Sequence, residues 1–269
     1  MTSKLKAPTR GRLASACIAL LIPALSGCSS EPPHADQAAD GEHAARADEE
    51  PLHTLPGLDH GLIQSPVNIL TDQTALGRHE IQLSGNKPRA GDVSNTGHSI
   101  QLEFEPGSTT TFDGKIYDFK QCHFHTPSEH TVDGVTYPME MHCVNLLPAP
   151  EGSDAPPEYL VGAFFFKMGS ESHFLSTFLG QVPKAVETAH LDQGEPVYLE
   201  DLLSAMRGDE HYYVYRGSLT TPPFTETVTW LIAAYVFEAS PEQIVTINRI
   251  EGNNARHVQA LFGRKVDGN

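Results

Sequence analysis

From about residue 57 onward the chain alternates apolar and polar residues with a period of two far more than with a helical period. Tyr117 to His125 and Tyr137 to Leu147 read as strands, with an Asp133-Gly134 turn between them. Asp92 to Glu105 also alternates, with an interruption at Gly97-His98 that suggests one kinked strand. Phe112-Asp113-Gly114-Lys115 is a hairpin signal, and Gln64 to Ile69 is a compact turn-to-strand entry. Tyr159 to Lys167 carries Leu-Val-Gly-Ala-Phe-Phe-Phe, the continuous apolar run of a buried strand. His211 to Tyr215 and Glu226 to Phe237, around the only tryptophan, Trp230, add two more. Helical signals are short: around Glu171 to Leu179, around Leu199 to Met206, and from Ser240-Pro241-Glu242-Gln243. That last stretch has a cap residue, a first-turn proline and a glutamine three on from the cap. The pattern predicts one mostly β (α+β) domain over residues 57–269, with helices at its periphery.

The two central strands carry unusual side chains. Alternation sends Gln121, His123 and His125 to one face of the first, and Glu140, His142 and Val144 to one face of the second. Cys122, Phe124, Met141 and Cys143 go to the opposite face. Paired antiparallel, the strands would converge three imidazoles on one point, the donor set of a catalytic zinc centre with a free fourth position. Gln121 and Glu140 are suited to orient the imidazoles. The same residues also fit a metal-binding jelly roll, in which His-x-His followed by Glu129 supplies the ligands, so the cluster alone leaves both readings open.

The N-terminus has a different character. Lys4, Lys6, Arg10 and Arg12 precede a short apolar stretch, Leu13 to Leu25, that is too short to span a membrane stably. It ends in Leu25-Ser26-Gly27-Cys28, which is similar to a bacterial lipobox. Residues 1–27 are therefore expected to be a lipoprotein signal and Cys28 the lipidated residue. Ser29 after it favours the outer membrane by the same resemblance. Residues 28–56, rich in Pro, Ala, Asp, Glu and His, read as a flexible linker. The expected location is periplasmic or otherwise extracytoplasmic, with the membrane reached only through the anchor. Loss of the signal leaves 14 basic against 34 acidic residues, a net charge of −20, which argues against nucleic acid as a partner. Of four cysteines, Cys17 leaves with the signal and Cys28 is the anchor. Cys122 and Cys143 remain as a cross-strand disulfide or as two buried thiols.

Gly217-Ser218-Leu219-Thr220-Thr221-Pro222-Pro223, between two expected strands, sets hydroxyls beside rigid prolines, and a jelly-roll metal site has no need of it. Taken with Gln64 to Ile69, Gln121 to Val132, Tyr137 to Val144, Tyr215 to Pro223 and Val228 to Trp230, the chain resembles the alpha class of carbonic anhydrases over about residues 60 to 266. The resemblance implies a large, mainly antiparallel central sheet and a zinc enzyme that hydrates carbon dioxide reversibly to bicarbonate through zinc-bound hydroxide. It makes His123, His125 and His142 the zinc ligands, with Gln121, Glu140 and Asn254 supporting them. Asn254 does so through its backbone carbonyl, facing His125. Thr220 accepts from the hydroxide and Glu129 fixes the direction of the Thr220 hydroxyl. Thr221 lines the substrate side, and Val144, Leu160, Leu219, Val228 and Trp230 form the apolar wall. His98 is the proton shuttle. A homodimer is compatible with the resemblance.

There are departures from the family pattern. No Trp- and Tyr-bearing segment precedes Gln64, and Phe224 stands where bacterial relatives often carry a cysteine that ties that segment down. Ala255 replaces an aromatic residue or Arg, while Arg256 is kept. Two other readings of the same residues are a catalytically silent binding module and a zinc esterase.

Overall fold

The computed structural model describes residues 61–150, 152–192 and 194–268. The expected signal, Cys28, the linker and the expected domain start at residue 57 lie outside the described residues. Among the described residues, strands dominate and form a 13-stranded sheet. Seven strands position the site: β1 (Arg89–Asn95), β2 (Ile100–Phe104), β3 (Lys115–His125), β4 (Met139–Leu146), β5 (Tyr159–Met168), β6 (Tyr212–Gly217) and β7 (Val228–Ala239). Their order across the sheet is β1-β2-β3-β4-β5-β7-β6. All neighbours on this path are antiparallel except β5 and β7, which are parallel, so the sheet is mixed at its middle.

Asp92 to Glu105 is not one kinked strand. It is a hairpin, β1 paired antiparallel with β2, because Asn95 to Ser99 closes a turn. Gly97 sits there at φ 84°, a conformation that costs glycine least. Asn95 Oδ1 accepts from the Gly97 N–H at 2.9 Å and Thr96 Oγ1 from the Ser99 N–H at 2.9 Å.

Three short helices, α1 (His173–Phe178), α2 (Glu200–Leu203) and α3 (Pro241–Glu251), lie outside the sheet. Helix α3 starts as its sequence predicts, with a reciprocal capping box between Ser240 and Gln243 and a proline in the first turn. Phe174 and Phe178 of α1, Leu202 of α2 and Ile244 and Ile247 of α3 share one buried cluster with Cys122, Phe124, Met141 and Cys143. Burial of each such side chain stabilises the fold by roughly 1.5–3 kcal/mol. The helices thus cover the face of β3 and β4 that does not carry the histidines. A second cluster, with Val161, Ala163, Phe165, Val228, Trp230 and Ile232, lies on the histidine face.

Candidate metal centre

Strands β3 and β4 pair so that Cys122 faces Cys143, His123 faces His142 and His125 faces Glu140. Residues directly opposite in an antiparallel pair share a face of the sheet, so the expected parity holds. His123, His125 and His142 converge, with one ring nitrogen from each within 4.8 Å of the others. Ring centroids are 5.1 Å apart for His123 and His125, 5.3 Å for His123 and His142, and 4.5 Å for His125 and His142. On the opposite face Cys122 and Cys143 form a disulfide, with their Cα atoms 4.2 Å apart.

The hydrogen bonds decide which nitrogens point inward. Gln121 Oε1 takes His123 Nδ1 at 2.9 Å, which leaves Nε2 for the centre. Glu140 Oε1 takes His142 Nε2 at 2.8 Å, which leaves Nδ1. Both ring nitrogens of His125 are buried and make no hydrogen bond of good geometry. The backbone of Asn254 lies close enough to His125 to favour its charged form, though it falls short of such a bond. Burial, then the neighbouring His142, hold the His125 pKa down at about 3, and burial with the other two rings puts His123 well below its ordinary value. His123 as a residue is half-buried, but its ring is desolvated. Three imidazoles whose inward nitrogens meet, one ring making no hydrogen bond of good geometry, fit a divalent cation of borderline softness.

The support extends further than the sequence indicated. Glu140 is fully buried. Its Oε2 accepts from the backbone N–H groups of Glu129 and His130, both at 2.8 Å. Its Oε1 also takes His130 Nδ1 at 2.7 Å. Burial would raise the Glu140 pKa, but the His130 and His142 rings and their hydrogen bonds outweigh that and hold it well below the usual carboxylate range. His130 Nε2 meets the Tyr215 hydroxyl at 2.6 Å, and that hydroxyl donates to Ser65 Oγ at 2.9 Å. Sequence reasoning missed His130, Tyr215 and Ser65 as parts of the site. Nothing local marks a buried histidine, and the only signal was its position four residues after the pattern His123-Phe124-His125-Thr126. His130, Glu140 and His142 also lie close enough to form a metal-like group. Both nitrogens of His130 and one of His142 are already used there, so it is a support and not a second centre.

Glu129 and Thr220 are both buried, Glu129 beside His125 and His142. Glu129 Oε1 lies 3.6 Å from His125 Nδ1 and accepts from the Arg256 N–H at 2.8 Å. Burial raises the Glu129 pKa; His142, the Thr220 hydroxyl and the Arg256 N–H pull it back down. The Thr220 hydroxyl therefore lies next to the carboxyl, although Oε2 makes no hydrogen bond of good geometry. The loop that holds Thr220 is fixed by Leu219 N–H to Thr225 carbonyl at 3.0 Å and by Trp230 Nε1 to Ser218 carbonyl at 3.1 Å.

One row of cross-strand partners runs Gln121, Val144, Val161, Trp230, Tyr215. Val144, Leu219, Val228 and Trp230 belong to the histidine-side cluster, and Thr221 is exposed. Leu160 does not join it. Leu160 pairs with Asn145 and Thr229 and packs with Phe112, Tyr117, Val214 and Leu231 on the other face. Its neighbour Val161 takes the expected place, because a one-residue step reverses the face.

His98 is exposed on the β1–β2 turn. Its backbone carbonyl accepts from Asn254 Nδ2 at 2.8 Å. Phe224, in place of a cysteine, lies under the Arg256 guanidinium at 3.8 Å, and its carbonyl accepts from Gln64 Nε2 at 3.2 Å. Among the described residues no helix is long and apolar enough to cross a membrane.

Residues 54–269 match the family model for eukaryotic-type carbonic anhydrase. The carbonic anhydrase of Neisseria gonorrhoeae is 37% identical over 208 residues, 77% of either chain. Among solved structures, the Photobacterium profundum alpha-carbonic anhydrase superposes with a TM-score of 0.66 at 35% identity, covering 77% of this chain and 89% of that one. The Thermovibrio ammonificans alpha-carbonic anhydrase, solved with the inhibitor sulfanilamide, gives 0.67 at 33% identity, covering 78% and 91%. The chain belongs to the eukaryotic-type, or alpha, carbonic anhydrase family, the enzymes that hydrate carbon dioxide.

Proposed function

We propose that this chain hydrates carbon dioxide reversibly to bicarbonate and a proton, with zinc held by His123 Nε2, His142 Nδ1 and a ring nitrogen of His125. The observation that carries the assignment is the buried His125 ring, without a hydrogen bond of good geometry, beside two histidines whose other nitrogens are already committed to Gln121 and Glu140. Bound there, zinc would lower the pKa of a water molecule from ~15.7 to about 7 and so supply a nucleophile at neutral pH.

The chain's own residues do the rest. Gln121 and Glu140 fix the ring orientations and keep the inward nitrogens unprotonated. Glu129, held by the Arg256 N–H, takes the Thr220 hydroxyl proton as a hydrogen-bond acceptor. Thr220 Oγ1 is then left to accept only, so it selects a nucleophile that can donate and aims it at the substrate. Val144, Val161, Leu219, Val228 and Trp230 offer carbon dioxide a dry apolar wall with no competing hydrogen bonds. His98, exposed on its turn, accepts the proton that hydration releases and passes it to buffer.

A pH-jump hydration assay with metal analysis tests this, using His142→Ala as control. Zinc-dependent acceleration that the control lacks is expected; hydration unaffected by zinc removal would refute the assignment. Attachment through Cys28 and residence outside the cytoplasm remain part of the proposal, resting on Leu25-Ser26-Gly27-Cys28. Metabolic labelling with a radioactive fatty acid, absent in Cys28→Ala, tests that part.

A further inference from the structure

The turn that carries His98 is tied to the ligand strand by the β2–β3 pairing and by side chains, of which Asn254 alone holds the His98 carbonyl itself. Asn254 lies three residues beyond α3. Its Nδ2 donates to the His98 carbonyl at 2.8 Å and to the Phe124 carbonyl at 3.1 Å. Its Oδ1 accepts from the Thr126 N–H at 3.0 Å. One amide therefore grips the backbone on both sides of His125 and the backbone of His98 together. Two weaker ties act in parallel: Ser99 Oγ donates to the Phe124 carbonyl at 3.1 Å, and Glu251 Oε2 accepts from the Ile100 N–H at 3.2 Å. The turn's internal hydrogen bonds, made by Asn95 and Thr96, fix its shape but not its place relative to the metal centre.

We infer that the Asn254 side chain is a positioning residue for proton transfer: its amide sets where the His98 imidazole stands relative to the three-histidine centre. The role differs from any support its backbone gives His125. It rests on the reading of His98 as the proton acceptor. Proton transfer over a gap needs donor and acceptor held in register, and a displacement of about 1 Å can cost as much as ~100-fold. A turn released at the His98 carbonyl keeps its imidazole but loses its register.

The informative variant is Asn254→Asp. It keeps the shape and the acceptor for Thr126 N–H, but turns the two donors into a carboxylate oxygen facing two carbonyls. In stopped-flow carbon dioxide hydration of the zinc-loaded protein, kcat is expected to fall about tenfold, against a change of no more than about twofold in kcat/KM. Added imidazole should restore kcat, as it should in His98→Ala. Zinc dissociation, read by competition with a chelator, should stay within about threefold of the parent. Asn254→Ala, with the same split and rescue expected, takes its place if the carboxylate prevents folding. An unchanged kcat would overturn the inference. So would kcat and kcat/KM falling together with faster zinc loss, which would place the effect on His125. If His98→Ala leaves the parent's kcat untouched, the shuttle reading fails first, and the parent's behaviour separates that failure from the other two.

Discussion

Glu140 Oε1 accepts from His142 Nε2 at 2.8 Å and thereby decides which of that ring's nitrogens faces the other two histidines. The same carboxylate takes His130 and two backbone N–H groups, so its charge is spread over four donors in a fully buried place. Glu140→Gln keeps the volume but sets an NH2 group against N–H donors. Zinc affinity is expected to drop about 10–100-fold, measured by chelator competition. Affinity equal to the parent's would show that the carboxylate does not orient the ring.

The Cys122–Cys143 disulfide closes a loop across a sequence separation of 21 residues. Loop-closure entropy gives it roughly 3 kcal/mol of stability. Cys122→Ala with Cys143→Ala should therefore lower the melting temperature by roughly 6–12 °C for a domain of this size. Because the bond lies in the residue pair next to His123 and His142, zinc should also leave the double variant faster. A melting temperature within about 1 °C of the parent would mean that the sheet alone sets the stability.

Val161 and Leu160 are neighbours on β5 with opposite surroundings, and they should respond differently to substitution. Val161→Phe fills the apolar wall beside Val144 and Trp230. It is expected to reduce kcat/KM for hydration by about 100-fold, with thermal stability lowered by roughly 1–3 kcal/mol. Leu160→Ala opens a cavity among Phe112, Tyr117, Val214 and Leu231. It should cost about 2–5 kcal/mol of stability with kcat/KM close to the parent's. Paired measurements showing the reverse pattern would return Leu160 to the wall.

Glu251, at the end of α3, has its pKa pushed by burial from 4.5 up to about 8, against the Ile100 N–H and the Thr126 hydroxyl, which pull it down. Below pH 4.5 the carboxyl is protonated whether or not the chain is folded, so it leaves stability unchanged there. As pH rises from 4.5 to 8, the unfolded chain releases this proton and the folded chain keeps it. The folded state then loses up to about 1.4 kcal/mol per pH unit, and the loss levels off above pH 8. Glu251→Gln removes that titration. Denaturant melts should show the variant gaining on the parent by a few kcal/mol between pH 5 and pH 8. A difference independent of pH would mean that the carboxyl titrates normally.

Much of this site could be read from the chain because β3 and β4 alternate cleanly. Phe124 and Met141 against His123 and His142 fix the faces without knowledge of any neighbour. β5 offers no such guide: Leu160 to Phe166 is apolar throughout apart from Gly162, as befits a strand buried on both sides, and the one-residue slip onto Leu160 followed. Asn95 to Ser99 was legible as an interruption but not as a reversal, because both arms of the hairpin carry the same alternation. His130, Tyr215 and Ser65 come together from three separate segments, and no spacing rule reports on a meeting of that kind. The side-chain amide of Asn254 belongs with them: the family resemblance implies a role for its backbone, and only the folded chain brings its side chain to the His98 carbonyl.

The cystine behind the histidines has a practical corollary. Protein made where thiols stay reduced and protein made where they oxidise would share every residue yet differ by one covalent stitch directly beneath the metal-holding rings. Preparations from the two sources are separate chemical species, and any metal affinity or melting curve belongs to whichever of them was in the tube.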